Sequence, residues 1–236
     1  MITFGSIYNL VDDIHGIIRD NTISESETIS DLQIEFWINQ YRSLLLKQDL
    51  DKGRSTNPDY IQEINSIPLI VEDYNSTNSG ITTNKYRYRT SIQIPKTLDL
   101  HFDNAITSIT DMLNNQIQFT TEQRATWQKY RKYTSDNAVA YLSNGYLYVE
   151  GNQLLEYIKL RGVFEYPNEA IIAQKKIQNK PEVVDPNDKY PIPANMLTTL
   201  KSMILKNELA IETSATSDKT NDANNITTPN AVTKGK

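Results

Sequence analysis

The stretch Ala138-Val-Ala-Tyr-Leu-Ser-Asn-Gly-Tyr-Leu-Tyr-Val-Glu150 decides the fold. Two β-prone runs, 138–142 and 145–150, surround Ser143-Asn144-Gly145. An Asn-Gly pair accepts two consecutive positive φ angles at little cost, so the spacing predicts a β-hairpin closed by a type I′ turn. The same period of two appears upstream. Over 86–94, Tyr86, Tyr88, Thr90, Ile92 and Ile94 fall on one face and Arg87, Arg89, Ser91 and Gln93 on the other. Downstream, over 154–165, Ile158, Leu160, Gly162 and Phe164 oppose Tyr157, Lys159, Arg161 and Val163, and Pro167 stops the run. Shorter apolar runs at 67–71, 105–110 and 117–120 add three more strands. The segment 72–84 reads as a polar loop, and 123–137 as a loop with a helical turn.

Both flanks of this β-rich centre change to helical spacing. Phe4, Ile7, Leu10 or Val11, Ile14 and Ile18 mark a helix over 3–19 with Thr3 as its N-cap. After a polar connection, Ser30 caps a second helix, with Gln33 in the capping-box position. Its apolar face is Ile34, Trp37, Ile38, Tyr41, Leu44, Leu45 and Gln48, and it runs out near Lys52–Gly53. Beyond a loop over 179–188, Pro191 and Pro193 lead into a last helix over 194–211. Leu197, Leu200, Ile204 and Leu205 form its apolar side, with Met203 and Leu209 on the margins. The expectation is an α+β chain in which a helical pair (1–53) and a C-terminal helix (190–211) pack together. A central antiparallel β-rich region (54–189) is inserted between them, and an extended arm (212–236) follows.

Composition excludes several classes. The 24 basic against 29 acidic side chains give a net charge of −5, well mixed along the chain. That is not the basic surface of a protein gripping many phosphates. No apolar run approaches the ~20 residues of a membrane helix, and 1–19 lacks a signal-peptide pattern. The absence of cysteine removes disulfides, thiolate catalysis and cysteine metal ligands. Fourteen tyrosines against five phenylalanines suit wet interfaces or half-exposed strand positions.

Catalytic signatures are missing. There is no glycine-rich phosphate loop, no histidine pair at metal spacing and no nucleophile elbow. His15 reads as a surface residue and His101 as a packed or hydrogen-bonded one. Asp12 and Asp13 diverge on a helix, and Asp73, Asp99 and Asp103 read as loop acids. Two basic segments stand out. Arg87 and Arg89 share a strand face, and Arg124, Lys129, Arg131 and Lys132 alternate with Trp127, Tyr130 and Tyr133. Such a pattern serves single-strand stacking or an Arg- and aromatic-rich protein interface. The acidic net charge favours the interface. A nucleic-acid-binding module remains the alternative function, and a hydrolase with converging carboxylates a weaker one.

The segment 211–236 has a separate logic. Fourteen of its residues are Ser, Thr, Asn or Asp, and only Ile211, Ile226 and Val232 are sizeable aliphatics. It buries too little to offset its own ordering entropy, so it is expected to order only against another surface.

The residues now described resemble one family. Glu35-Phe-Trp-Ile-Asn-Gln-Tyr-Arg-Ser-Leu-Leu-Leu-Lys-Gln-Asp-Leu50 is similar to the second helix of a ring protein from crAss-like tailed bacterial viruses. Ile94-Pro-Lys96, Asn144-Gly-Tyr-Leu-Tyr-Val149, Leu160-Arg-Gly-Val-Phe-Glu-Tyr-Pro167 and Tyr190-Pro-Ile-Pro-Ala-Asn-Met-Leu197 continue the likeness in the same order. The final helix through Lys206-Asn-Glu-Leu209 and its polar extension also fit, while 72–84 and 111–135 match least. The resemblance implies a head–tail connector, similar in role to the adaptor rings of short-tailed phages. It implies a non-enzymatic virion protein with no cofactor or membrane, forming a cyclic ring of twelve copies at the portal vertex or tail collar. Its partners would be the portal, other collar or tail ring proteins, and double-stranded DNA passing without sequence-specific contact. On this reading Trp37, Ile38, Tyr41, Leu45, Leu200 and Ile204 form the lateral ring or core packing. Arg87, Arg89, Arg124, Trp127, Tyr130 and Arg131 are possible interface residues. Ile211, Ile226 and Val232 belong to the assembly arm.

Overall fold

The computed structural model describes residues 6–21, 29–52, 57–71, 86–101, 105–128, 130–134, 137–151, 154–186 and 188–208. The chain begins with a helical hairpin, α1 (Ile7–Asn21) and α2 (Asp31–Asp51). Ser6 caps α1, accepting from the Asn9 N–H at its Oγ (3.3 Å) and from the Leu10 N–H at its carbonyl (3.2 Å). The expected cap Thr3, with Phe4, lies outside the described residues. Ser30 caps α2 as expected, its Oγ accepting from the Gln33 N–H at 3.3 Å. The final helix, α5, is Ala194–Asn207, with the Glu208 N–H closing on the Ile204 carbonyl. It was expected to reach Ile211, but 209–236 lies outside the described residues.

These three helices share one apolar cluster. Ile7, Leu10, Val11, Ile14 and Ile18 meet Ile34, Trp37, Ile38, Tyr41, Leu200 and Ile204. Polar ties fix the packing at its margins: Tyr41 Oη donates to Glu208 (2.6 Å) and Tyr190 Oη to Asn39 (2.8 Å). Lys201 pairs with Asp13 at 2.7 Å. The carboxylate beside Tyr41 raises its phenol pKa first, and burial raises it further. Leu44, expected on the buried face of α2, is exposed, while Leu46 and Arg42 are fully buried.

The centre is a closed barrel of seven strands: β1 (Gln62–Val71), β2 (Tyr86–Thr90), β3 (Ile106–Asp111), β4 (Gln116–Phe119), β5 (Val139–Ser143), β6 (Tyr146–Gly151) and β7 (Tyr157–Gly162). Around the barrel the order is β1-β2-β6-β5-β4-β3-β7. Closure pairs each of these seven strands on both sides. The insert is antiparallel as expected, except that β4 and β5 run parallel to each other. Ile64, Ile67, Tyr88, Ile109, Leu147, Val149, Ile158 and Leu160 form its core.

The β5–β6 hairpin is as expected. Asn144 and Gly145 have φ of 52° and 78°, both positive as type I′ requires. Gly145→Ala is therefore expected to cost about 1 kcal/mol of stability through backbone strain alone. A Cβ there would meet nothing closer than 4.0 Å, so an unchanged denaturation midpoint would contradict that reading.

Strand β1 is longer than the expected 67–71. An irregularity between Ile64 and Ile67, with Ser66 at φ 55°, lets two residues three apart both point inward. A short helix α3 (Glu122–Gln128) lies against β5, and a second helix, α4 (Pro167–Ile177), was not expected at all. Pro167 ends the strand region and also opens α4 at its first turn, where its missing N–H costs nothing. Ala170 and Ala173 of α4 pack onto the barrel core. Val163, placed on the outer strand face by alternation, is buried instead. It joins Leu46, Tyr60, Leu98 and Ala105 in a cluster linking barrel to helices.

Candidate interface surfaces

Arg87 and Arg89 project from β2 onto tyrosines of the neighbouring strands. The β2–β6 register sets Arg89 opposite Tyr148, and β5–β6 sets Tyr141 opposite Tyr148. The Arg87 guanidinium lies 4.6 Å from the Tyr148 ring and 6.0 Å from Tyr141, and Arg89 lies 4.7 Å from Tyr146. The rings of Tyr141 and Tyr148 stack at 5.5 Å, and Tyr141 Oη donates to Glu150 at 3.0 Å. Ala125 of α3 closes over this patch. Both arginines are thus half-buried and engaged in cation–π contacts within the chain. Their guanidinium groups are engaged by tyrosine rings of the same chain, and Arg87 also by Glu150 at 4.0 Å, while both side chains stay part-exposed at the barrel surface.

The second basic segment behaves differently. Arg124, Trp127, Tyr130 and Arg131 are all exposed on α3 and the turn that follows it. Buried Gln128 anchors the turn, its Nε2 donating to the Thr134 carbonyl at 2.7 Å. The Trp127 and Tyr130 rings lie 5.9 Å apart and tilted. Tyr133 is also exposed, with the Lys132 ammonium 5.2 Å from its ring. Large aromatics held outward on a fixed turn have the character of protein-contact residues. The structure therefore separates two groups that sequence pattern alone had put together.

Trp37, Ile38, Tyr41, Leu200 and Ile204 lie in the chain's own helical cluster, with Leu45 half-buried against it. Ile211, Ile226 and Val232 lie outside the described residues.

Sequence reasoning did not mark two further surfaces. On α2, Leu32, Phe36 and Leu44 are exposed, in one row with Gln40 at four-residue spacing. Because that row faces away from Ile38, period counting that looks for the buried stripe passes over it. On the barrel, Met112 and Leu113 form an exposed tip between β3 and β4. Asp111 holds this tip rigid. Its Oδ1 accepts from the Leu113 and Asn115 N–H groups at 2.8 Å each, and its Oδ2 from Asn115 Nδ2 at 2.8 Å. Partial burial pushes the Asp111 carboxyl up, but these hydrogen bonds and the Lys159 charge outweigh it and hold the pKa below its usual value. An Asp-headed tight turn with two apolar residues was visible in the sequence, but only the fold shows the tip to be exposed.

Chemistry of other kinds finds little to build on. Among the described residues no three His, Cys, Asp or Glu side chains converge as metal ligands. No described helix is long and apolar enough to cross a membrane. His15 Nε2 sits 2.7 Å from Asp31 near the helix start, Asp99 is exposed, and Asp73 and Asp103 lie outside the described residues. A cleft of about 770 Å³ between the β2 exit and α4 is lined by Glu169 and Glu182 but equally by Lys96 and Lys176. Exposed apolar and aromatic side chains on the β3–β4 tip and on the turn after α3 give this braced barrel the character of a protein that makes contacts with others. Residues 9–228 match the family model for the crAss ring 2 family, described as phage tail ring protein 2, and the chain belongs to that family. Among curated proteins, none matches the chain. Its role is accordingly structural, that of a head–tail ring protein of a tailed bacteriophage.

Proposed function

We propose that this protein forms a cyclic ring of twelve copies at the portal vertex or tail collar. There it joins the portal to the tail and extends the channel through which double-stranded DNA passes without sequence-specific contact. The observation that carries the reading is the family match over nearly the whole chain. Exposed aromatic and aliphatic side chains on a well-braced body support it, since monomeric proteins rarely leave such patches uncovered. Around a ring each modest contact is repeated, so a weak pairwise interface still gives a durable collar. The helical module (1–53 with 190–211) contributes to the lateral wall, part of the barrel surface faces other collar or tail ring proteins, and 212–236 docks as an extended arm. With little apolar area, that arm binds chiefly through backbone and side-chain hydrogen bonds.

Native mass measurement or electron microscopy of the full chain with its portal tests the reading. A portal-dependent ring is expected, and a persistent monomer overturns it. Deleting 211–236 should leave the melting transition of the body unchanged while impairing incorporation into particles. Unchanged incorporation would remove the arm from the assignment. The competing nucleic-acid reading requires tight, salt-sensitive DNA binding by the monomer centred on 124–132. The net charge of −5 and the in-chain engagement of Arg87 and Arg89 weigh against it.

A further inference from the structure

Besides the aromatics that follow α3, two exposed apolar surfaces stand at separate places in the fold. Strand registers locate the first. β7 pairs with β1 through Pro68 opposite Tyr157 and with β3 through Asp111 opposite Ile158. The C-terminal ends of β1 and β3 and the N-terminal end of β7 therefore share one end of the barrel. Ile70, Val71, Met112, Leu113, Leu154 and Tyr157, all exposed, gather at those strand ends. The opposite end is where Gln62 meets Gly162 and Ile106 meets Gly162, and there the helices attach through Leu46, Tyr60, Leu98, Ala105 and Val163. Among the described residues, helices cover one rim, while the other presents apolar side chains, with Leu113 82% exposed on the Asp111-braced tip.

The second surface is the α2 row, where Leu32 is 78% and Phe36 53% exposed. A cyclic assembly of more than two copies cannot use one self-complementary patch throughout. It needs two different patches, one offered to the copy ahead and one to the copy behind. An isologous contact through either surface would close at a dimer. Side chains in an i, i+4 row form a ridge of the kind that seats between projecting side chains of a facing element.

Taking the ring reading above as given, we propose that neighbouring copies join head to tail, with the Leu32–Phe36–Leu44 ridge of one copy seated on the distal barrel rim around Leu113 of the next. The occupant of the rim is thus a second copy of this chain. The contact is apolar at its centre, with Phe36 and Tyr157 supplying the aromatic surface usual in interface cores.

The chain has no cysteine, so single thiols can be placed without background. The full-length variants Phe36→Cys and Leu113→Cys, the mixture of the two, and the double variant are treated with a short bis-maleimide after ring assembly with portal. Both side chains are exposed, so an unchanged melting temperature checks folding. Covalent dimers are expected from the mixture, a ladder rising to the closed ring from the double variant, and none from either single variant alone. Rings by native mass without crosslinks in the mixture would overturn the ridge-to-rim contact and leave the ring reading intact. So would dimers from Leu113→Cys alone, or its crosslinking only to a different tail protein. A Leu113→Cys thiol shielded from maleimide in the monomer would assign the rim to the chain's own 72–85 segment and equally overturn the proposal. A protein that stays monomeric with portal present would overturn both readings together.

Discussion

Arg42→Ala is expected to destabilise the chain by about 3–5 kcal/mol, measured as a fall in the chemical denaturation midpoint at unchanged slope. Arg42 is fully buried on α2, a position where a charged side chain survives only with strong partners. Its Nε donates to the Pro191 carbonyl at 2.8 Å and its Nη1 to the Phe164 carbonyl at 2.9 Å. The guanidinium also lies 5.6 Å from the Tyr190 ring. Phe164 follows the last barrel strand and bridges to Thr97, while Pro191 leads into α5. One side chain therefore ties α2 to the barrel exit and to the start of the final helix. Removing it leaves two buried carbonyls without a donor and opens a cavity beside Tyr190.

Substitutions of intermediate character separate these contributions. Burial pulls the Arg42 guanidinium below its usual range, and no carboxylate pairs with it among the described residues. Arg42→Met fills the volume and removes the desolvated charge, so it should lose less than Arg42→Ala. Arg42→Lys keeps the charge but cannot reproduce the fork reaching two carbonyls in different directions, and it too should fall between wild type and alanine. A midpoint for Arg42→Ala within experimental error of wild type would mean that the two modules are held together elsewhere, for example through the Leu46–Tyr60–Val163 cluster alone.

Arg42 also shows where a sequence stops being legible. Period counting reads an arginine inside a helix as solvated, and nothing local contradicts that. Helix α2 has two burial partners: its first half packs on α1 and α5, its second half on the barrel junction. The buried face consequently turns from Ile34 and Ile38 toward Arg42 and Leu46, and Leu44, which a single stripe would bury, is left exposed. The β5–β6 hairpin was legible because Asn-Gly dictates the turn locally. Strand β1 was half legible, since Gln62, Glu63, Asn65 and Ser66 disguise its first half and its irregularity breaks the period. Helix α4 fully buries only Pro167 and two alanines and leaves its isoleucines half-buried, so its apolar residues do not mark out a clear buried stripe. Among the candidate residues, the exposure of Trp127 and Tyr130 could be read from their alternation with basic side chains. The tyrosine contacts of Arg87 and Arg89 could not, because they depend on which strands become neighbours around the barrel. The resemblance identified the family that the match over 9–228 then showed, a step no periodicity could supply.

Trp37→Ala is expected to cost about 3–5 kcal/mol of stability, whereas Phe36→Ala should shift it by no more than about 0.5 kcal/mol. The two side chains are consecutive, and on a helix they point about 100° apart. Trp37 is only 8% exposed and packs among Ile34, Ile38 and Tyr41 and residues of α1 and α5, so truncation leaves a void inside a single chain. Phe36 already faces solvent, so its truncation removes little burial in the isolated chain. Thermal melts and native mass should therefore dissociate. Trp37→Ala lowers the melting temperature but still assembles below it, while Phe36→Ala melts normally and assembles poorly. The reverse pattern, an unchanged melt with lost assembly for Trp37→Ala, would move Trp37 from the helical core to the lateral contact. Such a result would require α2 to reorient on ring formation, because in the chain described here that face is already occupied by α1 and α5.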